Sequence, residues 1–115
     1  MGFEEFEPRY AVSSKKRPMV TILKQGVFGV NQAAAVFLRD VEQVVFLFDK
    51  ATRRIGLRPE KGEAANGYNV RRAKQGGALQ ISGSRFLDHY GIAHEETKRY
   101  PCEWDEKAKM LVVQL

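Results

Sequence analysis

The side chains with the clearest capacity for chemistry in this chain are its cations. Lys and Arg number 19 against 14 Asp and Glu, which gives a formal net charge of +5 at pH 7. The excess is spread along the chain, because residues 1–60 carry ten cations and seven acids and residues 61–115 carry nine and seven. Such a field favours a polyanionic partner, above all nucleic acid. A modest positive charge also serves solubility alone.

Nine of the cations form a candidate nucleic-acid-binding set. They stand on predicted strands, in turns beside those strands, or in a basic run before the first strand. Arginine neutralises phosphates and can contact guanine through two bonds, and a β-ribbon can enter a DNA groove. The alternative is that these cations form the solvated side of a sheet, each beside an acid on a neighbouring strand. The set comprises Lys15, Lys16, Arg17, Lys24, Arg53, Arg54, Arg71, Arg72 and Lys74.

Patterns typical of catalysis or metal binding are missing from the sequence. His89 and His94 are five residues apart with Gly91 between them, so one helical face does not hold both. There is no Gly-x-Ser-x-Gly motif. Gly76-Gly77 precedes a predicted strand, whereas a phosphate-binding loop needs a helix start. We therefore expect a non-enzymatic protein with no catalytic residue, no metal site and no cofactor.

One cysteine, Cys102, bears on the cellular compartment. A lone cysteine forms no internal disulfide, which fits a reducing cytoplasm. Cys102 alternates with Tyr100 and Trp104 on a predicted strand, so we expect it to be a small buried residue. No apolar run approaches the roughly 20 residues of a membrane helix, and the acidic N-terminus lacks a signal-peptide pattern. The expectation is a cytoplasmic protein without membrane contact.

The elements that must position the cations occur twice in the same order. Each half contains two short strands joined by a glycine turn, then a short helix, then a two-strand hairpin. Lys24-Gln-Gly26 and Lys74-Gln-Gly76 are the corresponding turns, 50 residues apart. A half of about 45 residues is too small to bury a useful core, but two halves related by a pseudo-twofold axis can share one. The sequence therefore predicts an α+β, mainly β fold of two ββαββ copies.

The boundaries follow from local signals. Asn31 is a good N-cap for the first helix, whose apolar side carries Ala34, Phe37 and Leu38. For the second helix, Ser82 or Ser84 is the expected cap and Gly91 the expected terminator. The nearly continuous apolar run 44–48 predicts a strand buried on both faces, and Pro59 should end its hairpin partner. The resulting division is an N-terminal arm at 1–18, a first copy at 19–59, a linker at 60–67 and a second copy at 68–115.

The order of strand, turn, strand, helix and hairpin resembles that of the AbrB/MraZ superfamily of swapped-hairpin barrels. The residues that carry the resemblance are Gly26-Val-Phe-Gly-Val-Asn31 through Leu38, Ile55-Gly-Leu-Arg-Pro59, and Leu79-Gln-Ile-Ser82 through Tyr90-Gly91-Ile92. It covers about residues 19–115, and a tandem pair in one chain is the MraZ arrangement. The resemblance implies one pseudo-twofold barrel, candidate cations near one surface, double-stranded DNA as partner, transcription regulation and possible assembly into homo-oligomers.

A small protein–protein interaction or assembly module without nucleic-acid binding is the alternative function. DNA binding predicts that most candidate cations share one face, whereas such a module predicts cations paired with acids and an open apolar face. Phe3, Phe6, Phe28 or Trp104 at the surface would favour the module. Tyr10, Phe28 and Tyr68 could stack nucleobases on an exposed sheet, or could belong to the core and the sheet edge.

Overall fold

Eight antiparallel strands close into one barrel, with a short helix after the second strand and another after the sixth. The computed structural model describes residues 17–60, 65–72 and 77–115. The mainly β fold with two short helices is confirmed. The strands are β1 Met19–Ile22, β2 Val27–Val30, β3 Gln43–Asp49, β4 Arg54–Glu60, β5 Tyr68–Arg72, β6 Leu79–Ser82, β7 Lys98–Asp105 and β8 Met110–Gln114; the helices are α1 Gln32–Ala35 and α2 Ser84–His89.

The strand order around the barrel is β1-β2-β6-β5-β3-β4-β8-β7. Three pairs, β1–β2, β3–β4 and β7–β8, are neighbours both in sequence and in the sheet. In the described ranges the β3–β4 hairpin makes no ladder with β1 or β2; instead β3 pairs with β5, while β7 pairs with β1. The sheet therefore closes only through pairings between the first and second halves of the chain.

The core lies inside the barrel and is lined by alternate residues of the strands. Phe28 on β2 is fully buried, and its ring lies 4.7 Å from that of Phe46 on β3, centroid to centroid. Phe46 in turn stacks on Phe86 of α2 at 4.9 Å and meets Tyr68 edge-on at 4.8 Å. Phe28 and Tyr68 thus belong to the core and its margin. They are not an exposed base-stacking surface.

The first helix begins as the sequence predicts and ends differently. The Oδ1 atom of Asn31 accepts a hydrogen bond from the Ala34 main-chain N–H at 3.0 Å, so the predicted N-cap is confirmed. The helix tightens into a 3₁₀ turn over Val36–Leu38. Leu38 is fully buried, whereas Phe37 is 37% exposed. The prediction that Phe37 faces the core was wrong, because its ring stacks instead on Trp104 at the rim of the barrel.

The second helix has a glycine N-cap. Gly83 occupies that position and no side chain caps the helix, so the predicted caps Ser82 and Ser84 were wrong. Ser82 is the last residue of β6 and Ser84 is the first residue of α2. A Cβ atom on residue 83 would lie 2.6 Å from Cε1 of Phe28, closer than real side chains come. Packing against the core therefore excludes serine from the N-cap.

The predicted end of α2 is confirmed. Gly91 has a positive φ of 62°, which glycine adopts without strain. The N–H of Ile92 donates to the Leu87 carbonyl at 2.8 Å, and the N–H of Gly91 donates to the Asp88 carbonyl at 3.2 Å. These two bonds form a Schellman motif, and the buried Leu87 and Ile92 supply its apolar contact.

Two hairpin turns share one local structure. The Oδ1 atom of Asp49 accepts from the main-chain N–H groups two and three residues further on, and Oδ1 of Asp105 does the same in the β7–β8 turn. Each turn closes on a cation in the left-handed region, Arg53 with φ 58° and Lys109 with φ 56°. Each turn joins the two strands of a hairpin that the sequence predicts.

The strand β4 continues through Pro59 to Glu60, beyond the end predicted from the sequence. Pro59 lies inside β4 opposite Val44, so the prediction that it ends the hairpin was wrong. β8 pairs with β4 only from Arg54 to Leu57. Pro59 therefore has a strand on one side only, and a missing N–H is tolerated on such a free edge. In β3 itself, Val44 and Val45 are buried but residues 46–48 are half-buried, so burial on both faces holds for the first part of the strand only.

Asn31 offers a test of how the first helix is tied to the barrel. Besides capping α1, its Oδ1 accepts from the Met19 N–H at 3.1 Å and its Nδ2 donates to the Arg17 carbonyl at 2.8 Å. We expect Asn31→Ala to lower the free energy of unfolding by about 1–2 kcal/mol, since a lost N-cap alone costs about 1. Urea unfolding measures this. Asn31→Asp keeps the acceptor and should lose less; equal losses in the two variants would contradict the capping role.

Candidate nucleic-acid interface

The barrel end covered by α2 holds one group of the candidate cations. Lys24 lies in the β1–β2 turn and Arg53 in the β3–β4 turn. Both turns adjoin α2: the carbonyl of Gly26 accepts from the N-cap N–H of α2 at 2.9 Å, and the rings of Phe48 and Tyr90 are 5.1 Å apart. Lys24 and Arg53 thus occupy the same end of the barrel.

Arg72 lies at the opposite end, beside α1. Its Nη2 atom donates to the Leu38 carbonyl at 3.2 Å and also to the Val41 carbonyl. Arg17, which precedes β1, is at this end too, because its carbonyl accepts from Asn31. The described members of the set are therefore spread over both ends and the wall of the barrel, and they do not share one face as the DNA-binding hypothesis predicts. Lys15, Lys16 and Lys74 lie outside the described residues.

Two of the arginines are engaged within their own hairpin. Nη2 of Arg54 lies 3.8 Å from the Asp49 carboxylate, and its Nε donates to the Thr52 hydroxyl at 2.9 Å. The guanidinium of Arg53 lies 5.4 Å from the centroid of the Phe48 ring. These exposed contacts are worth under about 1 kcal/mol each, so the side chains can rearrange at little cost. Arg54 nevertheless fits the alternative of a cation beside an acid.

One row of outward-facing residues crosses five neighbouring strands, and we call it the arginine row. Its members lie directly opposite one another: Arg99 on β7, Thr21 on β1, Gly29 on β2, Gln80 on β6 and Arg71 on β5. Both arginines and the glutamine are exposed, and the two residues between them are half-buried. The row is polar throughout and an arginine stands at each end.

The dimensions of the arginine row suit a nucleic-acid duplex. Four strand spacings of about 4.8 Å place the Cα atoms of Arg71 and Arg99 about 19 Å apart along the sheet. The DNA major groove is about 12 Å wide, so the row is long enough to span it, with the two arginines on opposite flanks of the convex barrel wall. A Cβ atom on Gly29 would have no neighbour closer than 3.8 Å. Packing therefore does not require glycine at this position. Without a side chain on Gly29, the main chain is uncovered at the centre of the row.

No acid occupies the arginine row. Nη2 of Arg71 donates to the Ser82 hydroxyl at 3.0 Å, and within the described ranges neither Arg71 nor Arg99 forms an ion pair. Sequence reasoning identified Arg71 but missed Arg99. Strand alternation marks Arg99 as an outward residue, yet only the register between β1 and β7 shows that it aligns with Arg71.

The wall formed by β4, β8 and the last residues of β7 carries both signs of charge. On the outside of β4, Arg54 and Arg58 flank Gly56, while Glu103 and Asp105 face outward on β7. Arg58 lies 3.1 Å from the carboxylate of Glu60. Half-buried apolar side chains lie between them: Leu47, Met110 and Val112 line a shallow cavity of about 230 Å³. Opposite charges at this spacing largely cancel, so this wall is the weaker candidate for a polyanion.

A small apolar surface lies at the α1 end. Val36 is 48% exposed and Phe37 is 37% exposed, and the Phe37 ring stacks on Trp104 with centroids 5.2 Å apart and planes 3° from parallel. The indole N–H of Trp104 donates to Glu106 at 2.8 Å. An exposed apolar group next to an acid is a feature of protein contacts more than of phosphate contacts.

Within the described part of the chain, the thiol of Cys102 is buried and no metal-binding cluster is found. Cys102 is buried, and burial raises the pKa of its thiol to about 12, so it stays protonated and unreactive at neutral pH. The expectation that Cys102 is a small buried residue is confirmed. Among the described residues, no three His, Cys, Asp or Glu side chains are close enough together to hold a metal ion.

Within residues 17–60, 65–72 and 77–115 there is no helix of the length and apolarity that crossing a membrane requires. Comparison of the chain with protein-family models, with curated proteins and with solved structures finds no significant match in any of the three.

The two neighbouring arginines of β5 should differ in their effect on stability. We expect Arg72→Ala to lower the free energy of unfolding by about 1 kcal/mol, because two carbonyls after α1 lose a charged donor. Arg71→Ala, on the exposed wall, should stay within about 0.5 kcal/mol of the wild type. Urea unfolding of both variants makes the comparison, and an Arg71 effect as large as that of Arg72 would contradict the assignment of Arg72 to structure and Arg71 to the open surface.

Proposed function

We propose that this chain is a non-enzymatic DNA-binding transcriptional regulator of AbrB/MraZ type, acting in the cytoplasm on double-stranded DNA. The observation that carries the proposal is the arginine row, in which Arg71 and Arg99 border a polar strip without an acid. The net charge of +5 supports it, since sequence-independent attraction to phosphates supplies much of the affinity of such proteins. Lys24, in the β1–β2 turn at the edge of the same sheet, adds to the positive electrostatic potential near the row.

The proposal includes a tandem, pseudo-twofold origin of the barrel. Exchanging β1 with β5, β2 with β6, β3 with β7 and β4 with β8 leaves the strand order unchanged. The β2–β6 and β4–β8 ladders, in which the two halves meet strand against equivalent strand, are both antiparallel, as a twofold axis through them needs. The matching turns at Asp49 and Asp105 occupy equivalent places, and β3 and β7 each pair with a strand of the other half, as a swapped-hairpin barrel requires.

In the proposed complex the arginine row lies across the duplex. Arg71 and Arg99 neutralise phosphates on the two borders of a groove, and the uncovered main chain at Gly29 lets the backbone approach. Gln80 and Thr21 then face the base edges, where an amide can pair with adenine and a hydroxyl can bond to either base type. Contacts of the two arginines with phosphates supply affinity and orient the protein on the duplex. Contacts of Gln80 and Thr21 with base edges supply the sequence preference.

The centre of the row provides a sharp test. Gly29→Glu places a carboxylate where the phosphates would approach, and the space around Gly29 lets the variant fold. We expect its affinity for duplex DNA to fall at least about tenfold, because like charges brought together cost several kcal/mol. Fluorescence anisotropy measures the affinity. Gly29→Gln is the neutral control of the same size, and equal binding by the two variants would exclude the row as the interface.

The salt dependence provides a second test of the same interface. Each phosphate contact changes the slope of log K against log salt by about 0.9. We expect Arg71→Ala and Arg99→Ala each to reduce that slope by about one contact. Arg58→Ala, on the wall formed by β4 and β8, should leave the slope nearly unchanged. No DNA binding by the wild type at low salt would overturn the proposed function.

The alternative of a protein-interaction or assembly module draws on the exposed Val36, Phe37 and Trp104 surface. If that surface joins copies of the chain, sedimentation velocity should show a wild-type species larger than a monomer. Phe37→Ser should then sediment as a monomer, because it removes the stacked ring without touching the buried core. Monomeric wild type at high concentration would argue against self-assembly through this surface.

A further inference from the structure

His94 connects two elements at the α2 end of the barrel. Its Nδ1 atom lies 2.9 Å from the main-chain oxygen of Lys24 in the β1–β2 turn, and its Nε2 atom lies 2.9 Å from Oδ1 of Asp88 on α2. The His94 side chain is 19% exposed, so the ring is held in the crevice between the two elements. A cavity of about 310 Å³, lined also by Ile92, Ala93 and Glu95, adjoins it.

The two partners of His94 fix its protonation state. A main-chain carbonyl can only accept a hydrogen bond, and an ionised carboxylate can only accept as well. A neutral imidazole has one N–H and can donate to one of the two, whereas an imidazolium has two N–H groups and donates to both. The bridge from the Lys24 carbonyl to the Asp88 carboxylate therefore needs protonated His94.

The electrostatic surroundings favour that proton. The hydrogen bond to Asp88 raises the pKa of His94 most, the hydrogen bond to the Lys24 carbonyl raises it further, and partial burial opposes both. The charged residues that line the adjoining cavity with His94 are Asp88 on α2, Lys24 on the β1–β2 turn and Glu95 on the loop of His94 itself. Of these, the Asp88 carboxylate is the charge that raises the pKa of His94.

We propose that His94 is a proton-operated clamp: when protonated it ties the Lys24 carbonyl of the β1–β2 turn to Asp88 of α2, beside the main-chain bond between Gly83 and Gly26, and when neutral it loses one of its two bonds. Because the folded-state pKa lies above the unfolded value, the stabilisation by the clamp is complete below the unfolded pKa, about 6.5. It is lost as the pH rises through the folded-state pKa. Beyond that point the single remaining proton serves either the turn or the helix.

The clamp affects the hairpin that carries Thr21 and Gly29, the centre of the arginine row. Closing it adds a second link between the turn of this hairpin and α2 and places a positive charge beside Lys24, so DNA affinity should rise as the pH falls through the midpoint. This consequence rests on the proposed function. The clamp itself does not, because it concerns only the link between the β1–β2 turn and α2.

The test follows the imidazole and the turn by NMR on the intact chain. The sequence has two histidines, so His89→Gln leaves a single imidazole, that of His94. We expect its titration midpoint to lie above that of the same chain unfolded in urea, and the amide shifts of residues 24–26 to move with the same midpoint. A midpoint equal to the unfolded one, or turn amides that do not follow it, would overturn the clamp.

Asp88→Asn keeps the hydrogen-bonded bridge through His94 but removes its need for a protonated imidazole. The asparagine Nδ2 can donate to a neutral Nε2 while Nδ1–H still donates to Lys24, so the bridge persists at every pH. We expect the pH-dependent movement of the turn amides to disappear in Asp88→Asn, with the His94 midpoint lowered. Asp88→Ala removes the bond to α2 at every pH but leaves an Nδ1–H free to donate to the Lys24 carbonyl in either protonation state, so its turn amides should follow the titration less than those of the wild type. If Asp88→Asn titrates like the wild type, the proposal is wrong.

DNA binding by wild type and Asp88→Asn, compared at pH values on either side of the midpoint and at constant ionic strength, then tests the consequence. A pH dependence in the wild type alone supports regulation of the arginine row by the clamp. Absence of DNA binding with an intact NMR titration would refute the proposed function and leave the clamp standing. Binding with the same pH dependence in both proteins would refute the clamp as its regulator.

Discussion

The pairing of β1 with β7, together with that of β3 with β5, is the constraint on which the rest of the structure depends. Without these two ladders the β1–β2 hairpin and the β7–β8 hairpin would each expose an unpaired edge, and neither half could enclose Phe28 or Leu57. The same pairing sets Arg99 beside Thr21 and brings Trp104 towards Phe37. Both candidate surfaces are thus products of barrel closure.

Local signals in the sequence were sufficient for features that the chain satisfies within a few residues. The cap at Asn31, the helix end at Gly91 and the aspartate turns each place a side chain or a glycine where nearby main-chain groups need it. Local signals failed to predict local structure where a residue or strand far away in the sequence determines it. Gly83 is an N-cap because Phe28 leaves no room for a side chain, and Pro59 fits inside β4 because β8 does not reach it.

The candidate site was foreseeable only in part for the same reason. Arg71 stood out as one of several cations on a predicted strand, and alternation separates it from Arg72, which turns inward to bind carbonyls at the barrel end. Arg99 gave no such signal. Its alignment with Arg71 depends on the register of strands 78 residues apart, Thr21 against Arg99. Charge count likewise could not show that one wall separates its arginines from acids while the other intersperses them.

The ladders that close the barrel could also form between two chains. A β1 edge accepts any β7 in the right register, and a β7–β8 hairpin from a second chain offers the same main-chain groups as the chain's own. Local hairpins form in microseconds, but contacts across almost 80 residues close slowly. At high concentration two half-folded chains can therefore exchange hairpins and produce intertwined dimers with unchanged ladders. Such a dimer would return to monomers only by unfolding. The ratio of dimer to monomer would therefore depend on the protein concentration during folding.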